Sequence, residues 1–458
     1  MVQDRHVVFS ALIHAAGSGP SAWRHPDVDP AKALDFEYYK TLAQVCEKAR
    51  FDLLFIADAV GVDPDNLETN TKWPQYQNVL EPLTLLAAVA ATTHNIGLGG
   101  TCSTSLTDPF SIARQFASLD HLSKGRAAWN VVTSTTPFGP PNFGLAGHLP
   151  HDERYVKAKE SLEVVQAYWD TWEDDAFVFN KKDAVNFDPA KFHLVDHKGK
   201  YFTARGGLNI ARSPQGQPVI IQAGASPVGK EFAAEKAEIV FGTGATLAEA
   251  AAFNTDLKSR VAKYGRKLSD VKVLAGFRAV VGRTEQEAKD KLYALNAVLP
   301  FDAKLKFVST EFNVDLGAFP LDQIPSVDII PKTPGNRGQG YFNILADMVR
   351  SQKMTVREIV LRYERGFDTF TGTAVQVADE MQRWIEGGAG DGFMLTFSYM
   401  PGSLEDFADM VVPLLQERGL MRKEYFGKTL RENLNLDYPV NRHVKAVRQA
   451  AAICAPTS

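Results

Sequence analysis

The chain has 458 residues, 45% hydrophobic and 23% charged, a composition that supports a soluble globular fold with one large core or two ordinary ones. Its 50 basic and 54 acidic residues leave a formal net charge of -4, which argues against nucleic acid or an anionic membrane surface as a partner and favours a small molecule. Three cysteines, Cys46, Cys102 and Cys454, are too few and too far apart for a disulfide framework or a thiolate metal site, and they fit a reducing cytoplasm.

The first apolar run, Val7 to Ile13, follows Asp4 and His6 and falls far short of the roughly 18 to 20 apolar residues needed to span a membrane. It reads as a strand rather than a signal peptide. Phe36, Tyr39, Leu42 and Cys46 then recur at steps of three and four, one face of a helix. A second strand, Leu53 to Ala57, ends in Asp58, and a third, Ile96 to Thr101, runs into the glycine and hydroxyl cluster GLGGTCSTS. Asp108 before Pro109 is an N-cap followed by a proline at the first helical position, with Phe110, Ala113, Phe116 and Leu119 as the apolar stripe.

A fourth strand, Ala127 to Val132, carries a polar amide, Asn130, inside its apolar run and breaks into Thr133 and Ser134. The fifth, Val219 to Ala223, leads to Ser226-Pro227, a second capped helix start. The sixth, seventh and eighth are Glu238 to Thr243, Val273 to Val280 and Gly392 to Phe397. Thr284 and Glu287 have the spacing of a capping box, while Gly265, Gly387 and Gly419 stand where helices end.

Eight strands alternating with helices predict an α/β fold, a (β/α)8 TIM barrel, with an open doubly wound sheet as the alternative. The expected organisation is a single domain over residues 1–458, with insertions at about 134–218 and 299–371 over the C-terminal mouth. The second insertion includes the proline- and glycine-rich IPSVDIIPKTPGNRGQGYF.

In such a barrel the strand C-termini build the site, so Asn130, Thr133, Ser134, Asp58 and the hydroxyls after strand three would converge. Each also has a plain reading: Asn130 can cap a loop, Asp58 can cap a helix, and His14 can be a satisfied core histidine. Gly224 with Ser226-Pro227 offers an anion cradle at a helix tip, or an ordinary cap. His148 and His151 lack a carboxylate or cysteine in a recognisable ligand pattern, so no metal is expected. There is no Walker pattern and no GxGxxG at a strand-helix turn, against nucleotide hydrolysis and a dinucleotide fold.

Taken together, AWRHP (22–26), FDLLFIAD (51–58), EPLTLLAAVAATTHNIGLG (81–99), ARQFASLDHLSKGRAAWNVVTS (113–134), HDERY (151–155), RSPQGQPVIIQAG (212–224) and GGAGDGF (387–393) resemble the bacterial-luciferase-like flavin-dependent monooxygenases. The likeness is to the nitrilotriacetate, pristinamycin-precursor and dibenzothiophene-sulfone monooxygenase family, and it extends to KEYFGKTLRENLNL near the C-terminus. It implies a barrel that takes reduced FMN from a separate NAD(P)H-dependent flavin reductase and uses O2 as co-substrate. Asp58, Thr101 or Ser103, Asn130, His151, Tyr155, Ala225 and Ser226 match the flavin-contact positions, with Ala225 and Ser226 at the phosphate, and Asn130 with Thr101 match a pair that positions O2.

His14, Trp23, Phe138 and Phe143 are candidate substrate-lining residues. The implied reaction oxygenates a small organosulfur or amine-containing compound and cleaves a C–S or C–N bond. A cytoplasmic homodimer or homotetramer, without nucleic acid or membrane, is the expected assembly. A flavin-binding barrel without turnover and a cofactor-free hydrolase are the alternatives; the latter needs paired carboxylates at strand ends, where only Asp58 and Asp391 are candidates.

Overall fold

A computed structural model describes residues 6–19, 21–74, 76–330, 339–363 and 369–445. Cys454 and the 331–338 part of the proline- and glycine-rich segment lie outside the described residues. Eight strands form a closed, all-parallel barrel: β1 (Val8–Leu12), β2 (Leu53–Ile56), β3 (Gly97–Ser103), β4 (Ala127–Val132), β5 (Val219–Gln222), β6 (Ile239–Gly242), β7 (Lys272–Gly282) and β8 (Gly392–Thr396). Each falls on its predicted run. The pairing of β6 with β7 closes the ring and excludes the open sheet. A ninth strand, Thr369–Thr373, pairs with the far end of β7, outside the barrel.

Strand alternation sorts the core into two shells. Val8, Leu53, Phe55, Ala128, Ile221, Leu274 and Met394 fill the barrel interior. Trp129, Val131 and Ile220 face the surrounding helices, where the Trp129 ring lies 5.7 Å from that of Phe116. The N-terminal end of the barrel is closed by the C-terminal segment: Leu430 and Leu434 join the interior cluster, and Leu430 N–H donates to Gly125 O at 2.9 Å. A Cβ on Gly97 would stand 2.6 Å from Leu430 Cδ1, so the plug requires glycine there. With that end sealed, the interior is reached from the C-terminal mouth.

The helix signals translate residue by residue. Asp108 accepts from Ser111 N–H, and Ser226 accepts from Gly229 N–H, each ahead of a proline at the first helical position. Thr284 forms only one arm of the expected box, because Glu287 Oε2 accepts from Arg283 N–H rather than from Thr284. Complete boxes stand instead at Thr246/Glu249, Thr355/Glu358, Thr373/Gln376 and Thr429/Glu432. Gly265 and Gly419 take left-handed φ as expected, but after helix Ala374–Glu386 that conformation falls to Gly388 rather than Gly387.

Between β4 and β5, helix His151–Trp169 packs on helix Pro109–Leu122 through Trp169 Nε1, which donates to Ala113 O at 2.9 Å. Two antiparallel hairpins follow, Phe177–Asn180 with Val185–Phe187 and Val195–Lys198 with Thr203–Gly206. Between β7 and β8, helices Phe301–Phe312, Gln339–Arg350 and Val356–Arg362 share an apolar cluster of their own, built on Val308, Phe312, Leu345, Val349, Ile359 and Tyr363. Among the described residues no helix is long and apolar enough to cross a membrane.

Candidate active site

Thr101 and Asn130 are register partners on β3 and β4, so their side chains share one face, that of Gly99 and Ala128, which looks into the barrel. Asn130 Nδ2 donates to Thr101 Oγ1 at 3.0 Å. The other half of the amide, Oδ1, is buried without a hydrogen-bond partner among the described residues. A buried carbonyl oxygen on a barrel rim keeps its capacity to accept a hydrogen bond from a ligand.

One step further along both strands, Ser134 Oγ donates to Ser103 Oγ at 2.7 Å, and Ser105 Oγ donates to Thr133 O at 2.6 Å. Ser134 takes a left-handed φ of 50°, and the Arg154 guanidinium donates to its carbonyl, so the turn after β4 is held from helix His151–Trp169. Burial lowers the Arg154 pKa from its ordinary value.

The same helix carries Tyr155 into the rim. Its hydroxyl contacts Ser226, Thr133 and Gln222; burial raises its pKa and these contacts partly offset the rise. Gln222 Oε1 accepts from Gly224 N–H at 2.6 Å, and Ser226 Oγ accepts from Gly229 N–H at 3.2 Å. A Cβ on Gly224 would lie 2.7 Å from the Tyr155 hydroxyl, and one on Gly229 2.8 Å from it. Two glycines therefore keep open a small polar cradle, at a helix start whose first-turn amides have no intrahelical acceptor, and a phosphate group fits that chemistry.

Asp58 follows β2, half-buried. Burial, aided by the charge of Glu81, raises its carboxyl pKa from 3.8 to about 6. Burial likewise pushes the neighbouring Cys102 thiol up to about 11, which keeps it protonated. Asp391 precedes β8 and accepts from Val273 N–H at 3.0 Å, which places it at the opposite end of the barrel from Asp58. No pair of mouth carboxylates arises from these two residues.

Beside the β3–β5 cluster, on the side of β1, β2, β6, β7 and β8, lies a cavity of about 490 Å³. Leu12, Phe55, Phe241, Arg278, Met394 and Thr396 belong to its wall from the strands, and Trp73, Tyr76, Lys304, Phe307 and Tyr363 from the overlying segments. The structure places His14 and Trp23 in this wall. Phe138 is half-buried near Gly61, Phe143 is exposed, and neither belongs to the lining. His151 is exposed, 5.4 Å from the Tyr155 ring and hydrogen-bonded to Asp152, while His148 contacts Thr136 O; the two histidines are engaged separately. No cluster of three or more metal-ligating side chains occurs among the described residues.

Gln222 and Arg278 escaped the sequence reading although both carry the signal that exposed Asn130, a polar residue inside a buried strand run. Lys304 and Phe307 carry no such signal, because they sit on an ordinary amphipathic helix whose position over the mouth is a tertiary fact.

A sequence profile described as "Luciferase-like monooxygenase" matches residues 16–389. The chain is 40% identical over 447 residues, 97% of its length and 99% of the other's, to N-acetyl-S-(2-succino)cysteine monooxygenase of Bacillus subtilis (strain 168). It is 38% identical over 454 residues, 97% and 100% of the two lengths, to nitrilotriacetate monooxygenase component A of Aminobacter aminovorans. Among solved structures, a riboflavin lyase with modified FMN and riboflavin superposes with a TM-score of 0.82 at 32% identity, covering 95% of this chain and 97% of that one.

Proposed function

The chain belongs to the luciferase-like monooxygenase family, and from that premise we propose that it is the oxygenating component of a two-component system. It takes reduced FMN from a separate NAD(P)H-dependent reductase and inserts one atom of O2 into a small organosulfur or amine-containing compound, with cleavage of a C–S or C–N bond. Relatives named for N-acetyl-S-(2-succino)cysteine and nitrilotriacetate support that breadth of substrate. Reduced FMN supplies the electrons that activate O2.

The remaining work falls to residues of this chain. The cradle of Ser226, Ala225, Gly224 and Tyr155 holds the phosphate, with Ser226 and Tyr155 as hydroxyl donors. Asp58, carrying a proton below about pH 6, donates a hydrogen bond from the β2 end, and above that pH it accepts one. Ser103 is fixed by Ser134 beside Thr101, and His151 covers Tyr155 from the solvent side. Trp73, Phe307 and Tyr363 shield the cavity from water.

The observation that carries the reading is Asn130. Its Nδ2 is committed to Thr101, which fixes the amide plane, and its buried Oδ1 is left to accept from a ligand at the mouth. A non-catalytic flavin binder has no need of this pair. Asn130→Ala is expected to retain FMN binding, measured by flavin fluorescence titration, and to abolish product formation in a reductase-coupled assay. Product formation at the wild-type rate removes Asn130 from the mechanism.

A further inference from the structure

The cavity at the mouth is lined from both sides of the barrel wall. Along β1 and β2 alternate side chains point inward and outward, so Leu12 and Phe55 pack with the interior cluster, while Ile13 and Ile56 pack with the shell between strands and helices. All four line this one cavity. A space that touches both sets passes over the ends of the two strands, which stop at Leu12 and Ile56. Its inner lobe lies over Phe55, Phe241 and Met394. Its outer lobe lies between the strand ends and the helices, with Tyr39 of helix Phe36–Lys48 and Leu85 of helix Pro82–Ala90 in its wall.

The two lobes differ in chemistry. The inner lobe has Thr396, the register partner of Leu12, whose Oγ1 accepts from Arg278 Nε at 3.1 Å. The outer lobe is lined by Ile13, Pro30, Ala33, Tyr39, Ile56 and Leu85. These six residues carry one polar side-chain atom between them, the Tyr39 hydroxyl, and it donates to Ala33 O at 2.9 Å. Burial pushes the pKa of that hydroxyl up to about 12, as low-polarity surroundings require. A ligand group entering here meets hydrocarbon and one aromatic ring, and leaves no polar partner unmatched. The lobe ends at the surface, where Ala33 is half-buried and Pro30 exposed on the short turn Pro30–Leu34.

We propose that the outer lobe is a subsite for an apolar tail of the substrate. The substrate then extends from its reacting heteroatom in the inner lobe, over the ends of β1 and β2, toward Pro30. This rests on the flavin monooxygenase reading for which end reacts, but not for the seating of the tail. Each methylene that leaves water for the lobe raises affinity about fourfold. Ala33, the smallest side chain of the outer lobe, and Leu85, on its helix side, are then specificity-determining residues that set how long a tail is held.

The test is a series of methyl n-alkyl sulfides, from the ethyl to the octyl compound, titrated calorimetrically into the full-length chain with and without saturating FMN. Affinity is expected to rise about fourfold per methylene and then to level off, once the tail reaches Pro30 and further methylenes stay in water. Ala33→Leu is expected to bring the levelling point to a shorter tail. Leu85→Ala, which removes wall instead of adding it, is expected to move that point to a longer one. Affinity for FMN stays at the wild-type value in both.

An affinity that does not change with tail length in the wild-type chain overturns the proposal without recourse to any variant. The same levelling point in the wild type and in both variants overturns it too, by seating the tail elsewhere. Failure of the wild-type chain to bind FMN refutes the flavin reading instead, and the tail-length series remains readable in the flavin-free arm.

Discussion

Replacing Asn130 and Thr101 together by apolar residues of similar shape, Asn130→Leu with Thr101→Val, separates what the pair costs from what it does. The wild-type pair contains one hydrogen bond, Nδ2 to Oγ1 at 3.0 Å, worth about 0.5–1.5 kcal/mol net. It also contains one buried carbonyl, Oδ1, with no partner among the described residues, a desolvation penalty of about 1–3 kcal/mol. The double variant forfeits the first and relieves the second, so the net is a gain of about 1 kcal/mol. In a chain of this length that raises Tm by about 1 °C. Replacing Asn130 alone leaves Thr101 Oγ1 without its donor and gains less. Thermal unfolding followed by intrinsic fluorescence reads the stability, and the reductase-coupled assay is expected to read no product from the stabilised protein. A double variant that melts below the wild type shows that Oδ1 is no burden in the free protein. One that still forms product shows that the amide is not used.

Three further outcomes follow from the rim. Ser226→Ala is expected to weaken FMN binding by about tenfold or more, the loss of a hydrogen bond to a charged group; unchanged affinity on titration dismisses the phosphate contact. Gly224→Ala puts a Cβ 2.5 Å from Gln222 Nε2 and 2.7 Å from the Tyr155 hydroxyl, so FMN affinity falls while riboflavin, which lacks the phosphate, loses little; equal losses for both point to a general distortion. Asp58, with its pKa raised from 3.8 to about 6, holds its proton more tightly when folded than when unfolded. Its ionisation costs stability above about pH 6, and that cost fades as the pH falls toward 4. Asp58→Asn therefore raises Tm near pH 8 and leaves it almost unchanged near pH 4; a shift independent of pH contradicts the burial argument.

The strands were legible because a parallel sheet buried on both faces writes itself as short, nearly continuous apolar runs, and all eight stand where those runs lie. Asp108 and Ser226 were legible for an equally local reason: an N-cap acts two or three residues away. At Thr284 the spacing foretells the cap but not the return arm of the box, because spacing does not decide which neighbouring amide Glu287 reaches, and it reaches Arg283. At the mouth, Asn130 stood out as a polar interruption of β4, but only the register of β3 against β4 brings Thr101 beside it.

The sequence by itself determined the alternation of strands and helices, the caps, and the candidate polar strand ends, since each depends on residues within a few positions of one another. Closure of the ring at β6 and β7, the plugging of its lower end by Leu430 and Leu434, and the convergence of Arg278, His14 and Lys304 on one cavity were decided by the tertiary structure alone. Those depend on register, barrel stagger and the path of a helix laid over the mouth, and contacts between residues hundreds of positions apart leave no periodic trace in the chain.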